Sequence, residues 1–138
     1  MTNRISCAAL RSRITDADTA AALITPGETV AASGFTGSGY PKMVPQALAR
    51  RMAAEKAAGN PFKVNLWTGA STGPELDGSL AEVDGIGQRL PYSSDPIARE
   101  KINRGEMDYL DMHLSQVAPM AWQGVIGSLD TAIVEISG

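Results

Sequence analysis

The feature that most constrains the fold is a short run of small apolar residues leading into a glycine-rich loop. Residues 27–41 read GETVAASGFTGSGYP and follow a turn at Pro26. The run at 30–32 does not alternate with polar residues, which is typical of a strand buried on both faces of a sheet. Three glycines follow between 34 and 39. A buried strand that leads through such a loop into a helix is how α/β proteins build ligand sites at the carboxyl edge of a sheet.

The same pattern occurs a second time. Residues 63–68 read KVNLWT and predict a strand, and the small-residue loop GASTGP follows at 69–74. A helix after Pro41, with Val44, Leu48 and Met52 on one face, is predicted between the two strands, and Gly59 ends it. Two strand–loop–helix units predict a parallel sheet, because each helix carries the chain back to the same edge.

The other predicted elements complete the alternation of strands and helices. Thr15 is predicted to cap the first helix, Ser94 or Asp95 to cap a later one, and Ile97 and Ile102 to face inward. These elements are a short helix at 19–24, a helix at 74–83, a turn at 84–87, a short extended piece at 89–92, a helix at 96–103, a strand at 107–112, a helical turn at 115 and a strand at 131–136. This order favours an α/β layer domain with a mostly parallel sheet and flanking helices.

Composition excludes several classes of protein. The chain of 138 residues has 12 basic and 15 acidic residues, a net charge of −3 and no basic patch, so no nucleic-acid partner is expected. The single cysteine, Cys7, cannot form an internal disulfide and predicts a reduced thiol. Residues 1–24 lack a continuous apolar core, and no run approaches the roughly 20 residues of a membrane span. These features predict a cytoplasmic protein without a membrane partner.

Few side chains are candidates for chemistry. His113 and Cys7 lie too far apart in the chain to form a metal site, and none is expected. His113 is either a general base partnered by Asp111 or a structural histidine at the end of a strand, and the second interpretation is favoured. The loop at 69–73 does not have the Gly-x-Ser-x-Gly form of a nucleophile elbow. Its hydroxyls, with those of Ser93 and Ser94, either donate hydrogen bonds to a carboxylate or acyl group or serve as loop and cap groups.

Four stretches together resemble a known family. A glycine–acid pair, a small-apolar run and then G-F-x-x-x-G-x-P in residues 27–41 resemble the amino-terminal signature of class I coenzyme A transferases. ALRS at 9–12, GASTGP at 69–74 and YLDMHLSQV at 109–117 are similar to the acetyl-CoA hydrolase/transferase branch, which includes succinyl-CoA:acetate CoA-transferases. Ser33 departs from the pattern, because many members carry glycine there. The resemblance covers nearly the whole chain in order.

The resemblance implies a Rossmann-like α/β domain of the kind shared by CoA-transferases and some sugar-phosphate isomerases. It also implies an acyl-CoA thioester as substrate, small carboxylates such as acetate or succinate as partners, and a glutamyl-CoA thioester intermediate. No separate cofactor is expected to be bound. Relatives are longer and carry the catalytic glutamate in their second half. Residues 1–138 are therefore expected to be an amino-terminal domain that lacks the catalytic domain, has no catalytic residue of its own and forms a homo-oligomer.

The two small-residue loops are expected to form one wall of the acyl and carboxylate pocket. Ser94 matches a position that can be a threonine near the carboxylate site in the succinyl-CoA:acetate branch. The candidate substrate-binding residues are Gly34, Phe35, Thr36, Gly37, Gly39, Gly69, Ser71, Thr72, Gly73 and Ser94. An alternative hypothesis is a stand-alone binding module for an anionic metabolite or acyl-CoA without catalysis. A third hypothesis is a sugar-phosphate isomerase, but the sequence shows no clear phosphate cradle for it.

Overall fold

A five-stranded sheet, in which every strand pair is parallel, organises the computed structural model, which describes residues 5–136. The strand order is β4-β3-β2-β1-β5. The strands are β1 Thr29–Ala32, β2 Val64–Trp67, β3 Ile86–Leu90, β4 Asp108–Tyr109 and β5 Thr131–Ile133. The predicted α/β class with a parallel sheet and flanking helices is confirmed.

Helices connect the strands. They are α1 Ala8–Arg11, α2 Ala17–Ala22, α3 Met43–Ala57, α4 Ser79–Glu82, α5 Pro96–Asn103 and α6 Leu114–Trp122. A π-helical turn, Pro74–Gly78, runs directly into α4, so the predicted helix at 74–83 exists with a widened first turn. Within residues 5–136, no helix is long and apolar enough to cross a bilayer.

The strand order places the helices on two faces of the sheet. The chain steps from β1 to β4 in one direction, so right-handed crossovers put α3, α4 and α5 on the same face. These helices pack on one another and cover a core that includes Leu48, Leu66 and Leu80. The chain then returns to β5 on the far side of β1, so α6 crosses the second face.

The predicted turn at 84–87 is correct only at its start, because Ile86–Leu90 forms a central strand. The predicted extended piece at 89–92 covers only the end of that strand. Gly87 allows close packing here, since a Cβ at this position would lie 3.2 Å from Asn65 Oδ1. The pairing of β3 with β2 also shifts register between Val64 and Leu66. Alternation of polar and apolar residues is therefore a poor guide to this strand.

Several helix boundaries also differ from prediction. The cap of α2 is Asp16, which accepts a hydrogen bond from the Thr19 amide at 2.7 Å, and not Thr15. Asp95 caps α5 as one of the two predicted residues, but Ile97 is 36% exposed and Ala98 takes the buried position. The predicted strand at 107–112 shortens to Asp108–Tyr109. The predicted strand at 131–136 likewise shortens to Thr131–Ile133.

The prediction of a single helical turn at Ser115 is wrong. α6 has nine residues and includes Pro119, and its amino-terminal cap is His113. Nδ1 of His113 accepts a hydrogen bond from the Ser115 amide at 3.4 Å and lies 2.7 Å from Ser115 Oγ. The structure thus agrees with the structural interpretation of His113.

Two lysines hold Asp84 at the end of α4. Both Lys101 and Lys56 form ion pairs with its carboxylate. The hydrogen bond from Lys101, followed by that from Lys56, lowers the Asp84 pKa from 3.8 to about 2. Asp84 has a φ of +61°, a conformation that aspartate and asparagine adopt more readily than most residues.

We predict that Asp84→Asn lowers stability at neutral pH and loses this effect in acid. A carboxyl with a depressed folded-state pKa stabilises the fold above its unfolded pKa, and the contribution disappears as pH falls from about 4 toward 2. Asparagine keeps the backbone preference, so the charge is the main change. Urea unfolding midpoints of wild type and variant, measured from pH 7 downward, should converge in that window.

The matched control is Asp18→Asn, which removes an exposed ion pair with Arg50 of 2.7 Å. It should shift the midpoint little at any pH. A constant difference between Asp84→Asn and wild type across the acid range would contradict the role given to the two lysines.

Candidate functional site

Three loops meet at the carboxyl edge of the sheet, and together they are called here the three-loop rim. They follow β1, β2 and β3 and comprise residues 33–42, 68–73 and 91–95. The first two touch, because a Cβ on Gly69 would lie 2.8 Å from the Gly34 carbonyl oxygen. The second and third are joined by side chains, with Ser71 Oγ 2.6 Å from Ser94 Oγ. The structure thus brings the predicted site segments into one place.

The tip of the first loop is a tight hairpin. Phe35 and Ser38 exchange two backbone hydrogen bonds of 2.9 and 3.1 Å. Thr36 and Gly37 between them have φ values of +48° and +80°, as a two-residue hairpin turn requires. A Cβ at Gly37 or Gly39 would meet no atom within 4 Å. These two glycines therefore serve the turn and leave its surface open to another molecule.

Two other glycines have a different role, which is to accommodate Tyr40. A Cβ on Gly34 would lie 2.6 Å from Tyr40 Cβ, and a Cβ on Gly73 would lie 2.2 Å from Tyr40 Oη. The Tyr40 hydroxyl donates a short hydrogen bond to Glu75. That bond raises the pKa of Tyr40 to about 12 and lowers the pKa of Glu75. Tyr40 thereby connects the first loop to the π-helical turn after the second.

A fully buried ion pair lies beneath the second and third loops. Arg89 Nε donates to Asp77 Oδ1 at 2.8 Å and Nη2 donates to Oδ2 at 3.1 Å, so the pair is bidentate. Asp77 Oδ2 also accepts from Ser93 Oγ at 3.2 Å and from the Thr72 amide at 3.3 Å. Arg89 Nη2 reaches the Ala70 carbonyl at 3.4 Å. Both loops are therefore hydrogen-bonded to the same two side chains.

Sequence analysis missed Asp77 and Arg89 altogether. Their only signal in the sequence is that each is a charged residue next to a leucine, Leu76 or Leu90, and their burial appears only in the structure. Charged residues are almost never fully buried unless they are paired. Nothing in the sequence alone identifies which residue is the partner.

The paired serines form the most clearly defined polar feature of the rim. Ser71 is only 4% exposed, whereas Ser94 is exposed. The Ser94 amide donates to Ser71 Oγ at 2.8 Å. With that lone pair occupied, the Ser71 hydroxyl can donate to Ser94 Oγ, which leaves the Ser94 hydroxyl proton free to donate outward. An outward donor of this kind suits a carboxylate oxygen.

A cleft of about 510 Å³ opens beside the rim, between the π-helical turn, α4 and the start of α5. Its charged groups are the carboxylates of Glu82 and Asp95, and none of its lining residues is cationic. Thr72 Oγ1 is buried at this cleft without a hydrogen-bond partner within residues 5–136. The cleft therefore favours a neutral ligand group over an anion. The candidates Thr72, Gly73 and Ser94 line it, together with Pro74, Gly78, Ser79, Pro96 and Ile97.

The remaining candidates lie outside this cleft. Gly34, Phe35, Thr36, Gly37 and Gly39 belong to the first loop, where Phe35 is 55% exposed. The Phe35 ring lies 4.0 Å from the position of a Cβ on Gly69. Gly69 and Ser71 connect this loop to the third one. Across residues 5–136, no three His, Cys, Asp or Glu side chains cluster closely enough to hold a metal ion.

Comparison with known proteins gives a consistent family. Residues 6–138 match the acetyl-CoA hydrolase/transferase N-terminal domain. The chain is 45% identical over 132 residues to a succinyl-CoA:acetate CoA-transferase of Clostridium kluyveri. This match covers 96% of this chain and 24% of that protein. It is 40% identical to a propanoyl-CoA:succinate CoA transferase of Escherichia coli, covering 88% and 25% respectively.

The chain thus spans about a quarter of the length of these curated relatives. Among solved structures, RipA from Yersinia pestis matches with a TM-score of 0.59 and 22% identity. The match covers 86% of this chain and 27% of RipA, and at this identity it shows a shared fold alone.

We predict that the buried pair behaves as one unit. Arg89→Met leaves Asp77 buried without a counter-charge, and should lower the free energy of unfolding by about 3–5 kcal/mol. Asp77→Leu should cost a similar amount. The double variant should cost clearly less than the sum, because neither charge is then left alone. Denaturant unfolding of the four proteins measures this coupling.

The exposed Arg50–Asp18 pair provides the control cycle, with a coupling expected below about 1 kcal/mol. Additive costs at Asp77 and Arg89 would contradict the proposed coupling.

We also predict that Gly73→Ala displaces the Tyr40 ring. The added methyl would collide with the Tyr40 hydroxyl, and loss of the bond to Glu75 should let the Tyr40 pKa fall from about 12 toward 10. Absorbance titration of the tyrosines measures this shift. Glu75→Gln should lower the same pKa, whereas Gly37→Ala, which points into open space, should not. An unchanged titration in Gly73→Ala would show that the contact is not tight.

Proposed function

The chain belongs to the acetyl-CoA hydrolase/transferase family, and we propose that it forms one wall of the acyl and carboxylate pocket of an enzyme that transfers or hydrolyses CoA thioesters. The substrates in this proposal are an acyl-CoA and a small carboxylate such as acetate or succinate, in keeping with the names of the relatives. The observation that carries it is the three-loop rim, where Ser71 can donate to Ser94 Oγ and so leave the Ser94 hydroxyl able to donate outward.

In this role the rim binds and orients the carboxylate. In this proposal the Ser94 hydroxyl donates to one carboxylate oxygen on the side of the rim that faces the first loop, outside the cleft that carries Glu82 and Asp95. A hydrogen bond to a charged group contributes about 1.5–3 kcal/mol. The open hairpin at Phe35–Ser38, with Gly39 after it, lets a ligand or a second domain approach the backbone of this loop closely. The uncharged part of the cleft beside Thr72 suits a neutral portion of the thioester rather than its phosphates.

The reactive carboxylate comes from elsewhere in this proposal. A glutamate oxygen attacks the thioester carbonyl, the carbon–sulfur bond breaks, and CoA leaves as a thiolate, so that the acyl group is joined to the glutamate in a mixed anhydride. The thiolate then attacks the glutamyl carbonyl, releases the first acid as its carboxylate and leaves a glutamyl-CoA thioester. A second carboxylate then receives the CoA from that thioester by the same steps in reverse. In a hydrolase, water attacks the thioester and releases CoA.

The glutamates that border the first loop are already engaged. Tyr40 is bonded to Glu75, and Lys42 forms an ion pair with Glu135 at 3.1 Å. Neither is positioned as a free nucleophile, and none of the chain's glutamates matches the family's catalytic position. We therefore assign the nucleophile to a carboxyl-terminal domain. We also propose that the assembled enzyme is a cytoplasmic homo-oligomer.

A second candidate function is a binding module that needs no other domain. The observation that favours it is the cleft of about 510 Å³, whose walls come from this chain alone. In that case the isolated chain should bind acetyl-CoA in calorimetry. Binding that appears only after the carboxyl-terminal domain is added favours the enzyme.

We predict that Ser94 controls recognition of the carboxylate. The test protein is a chimera in which this chain replaces the matched segment of the Clostridium kluyveri transferase. Ser94→Ala should raise the KM for acetate by about tenfold or more, since 1.4 kcal/mol is a tenfold change. Ser94→Thr keeps the hydroxyl and should restore the KM, and the KM for the acyl-CoA should change little in either variant.

Ser12→Ala, which removes an exposed hydroxyl bonded to the Ala9 carbonyl, is the matched control and should change neither constant. The isolated chain should show no turnover. An unchanged acetate KM in Ser94→Ala, or turnover by the isolated chain, would contradict the proposal.

A further inference from the structure

The helix α6 has one apolar face, and only part of that face packs on the sheet. Val117 and Ala121 face the sheet, where they line a gap with Ala31 and Trp67. Beside them on the same face, Leu114, Ala118 and Trp122 follow at intervals of four and form an exposed stripe. We call these three residues the outer stripe of α6. From residue 114 to residue 129 the sequence has no charged side chain.

This helix is not buried by the residues around it. Trp122 is 92% exposed, and no residue of α6 is fully buried. Val125, just past the helix, is 61% exposed and extends the apolar surface. By contrast, the exposed side of α5 carries Arg99 and Glu100, as expected of a helix that faces water.

The packing beneath α6 is also incomplete. A gap of about 140 Å³ remains between the helix and the second face of the sheet. Trp67 Nε1 is buried there and has no hydrogen-bond partner among the described residues. A contiguous exposed apolar surface marks an interface. The outer stripe therefore has the character of a contact surface.

Topology identifies what covers it. β5 pairs with β1, and within residues 5–136 its other edge has no neighbour. The crossover into β5 placed α6 on the second face. A further strand added beyond β5 in the same direction would, by the right-handed rule, bring its own helix to that same face, next to α6. The relatives are about four times as long as the segment that this chain matches, so such a strand and helix have ample sequence to come from.

We propose that the outer stripe of α6 is covered by the crossover helix of the polypeptide that follows β5 in the longer proteins of this family. The inference rests on the proposed function in one respect, that the chain is the amino-terminal part of such an enzyme. The occupant is an uncharged, apolar helix face, because an unpaired charge set against Trp122 and Leu114 would lose its hydration without a partner. A second copy of this chain is the competing occupant.

The accessibility of Trp122 tests the proposal. Trp67→Phe makes Trp122 the only tryptophan of the 138-residue chain, and any tryptophan in the downstream part of the chimera is replaced by phenylalanine. The Trp67 change removes no hydrogen bond seen among the described residues. Acrylamide quenching is compared between the 138-residue chain and the chimera that carries the downstream part of the Clostridium kluyveri transferase. The quenching constant should fall by about fivefold or more in the chimera, as the ring moves from 92% exposed to buried.

The control places the probe on an exposed apolar residue near the other helical layer. Leu23 is 76% exposed, and a Trp67→Phe, Trp122→Phe, Leu23→Trp protein reports general shielding by the larger molecule. This probe should stay accessible in the chimera. Equal protection at both positions, or no protection of Trp122 in a folded chimera, overturns the proposal. If the chimera does not fold, the downstream part is added as a separate polypeptide and scored in the same way.

Two further readouts separate the competing explanations. If Trp122 is already protected in the isolated chain, and light scattering shows a dimer that Trp122→Lys dissociates, a second copy is the occupant and the proposal fails. Turnover is measured independently of quenching. An active chimera with an accessible Trp122 refutes the surface assignment alone, whereas an inactive chimera with a protected Trp122 supports the surface and counts against the proposed function.

Discussion

The bidentate ion pair between Asp77 and Arg89 is the constraint on which the rest of this structure depends. Both side chains are fully buried, so each needs its partner and every available hydrogen bond to offset the loss of water. Those bonds reach Thr72, Ser93 and Ala70, which lie in the loops after β2 and β3. The position of Ser94 opposite Ser71 is thus a consequence of a charge pair in the layer beneath.

Packing against Tyr40 gives the first loop its place in the same way. At positions 34 and 73 a side chain would collide with the tyrosine, so only glycine fits there. Gly37 and Gly39 instead supply the positive φ angles that the loop needs to turn. Contacts within the chain therefore determine the shape of the glycine-rich loop. A preformed loop loses less conformational freedom when it binds than a mobile one does.

Much of the fold follows from local sequence, but the part that fixes the site depends on distant residues. β1, β2, α3 and α5 are visible in their apolar runs, glycine stops and caps. β3 is not, because Gly87, Gln88 and Arg89 are polar or small and are explained only by Asn65 and Asp77 on other elements. The ion pair is not recognisable from the sequence for the same reason. The loops and Ser94, which the pair positions, are recognisable from the family pattern. α6 is underestimated because Pro119 lies within it.

The central claim is that three loops, held by one buried charge pair and one tyrosine, form the carboxylate-binding wall of a CoA-handling enzyme. A crystal structure of the chimera with succinate bound tests this claim most directly. The account predicts a succinate carboxylate within hydrogen-bond distance of Ser94 Oγ, between the first and third loops. A carboxylate bound away from the three-loop rim, with the Ser94 hydroxyl facing only solvent, would contradict it.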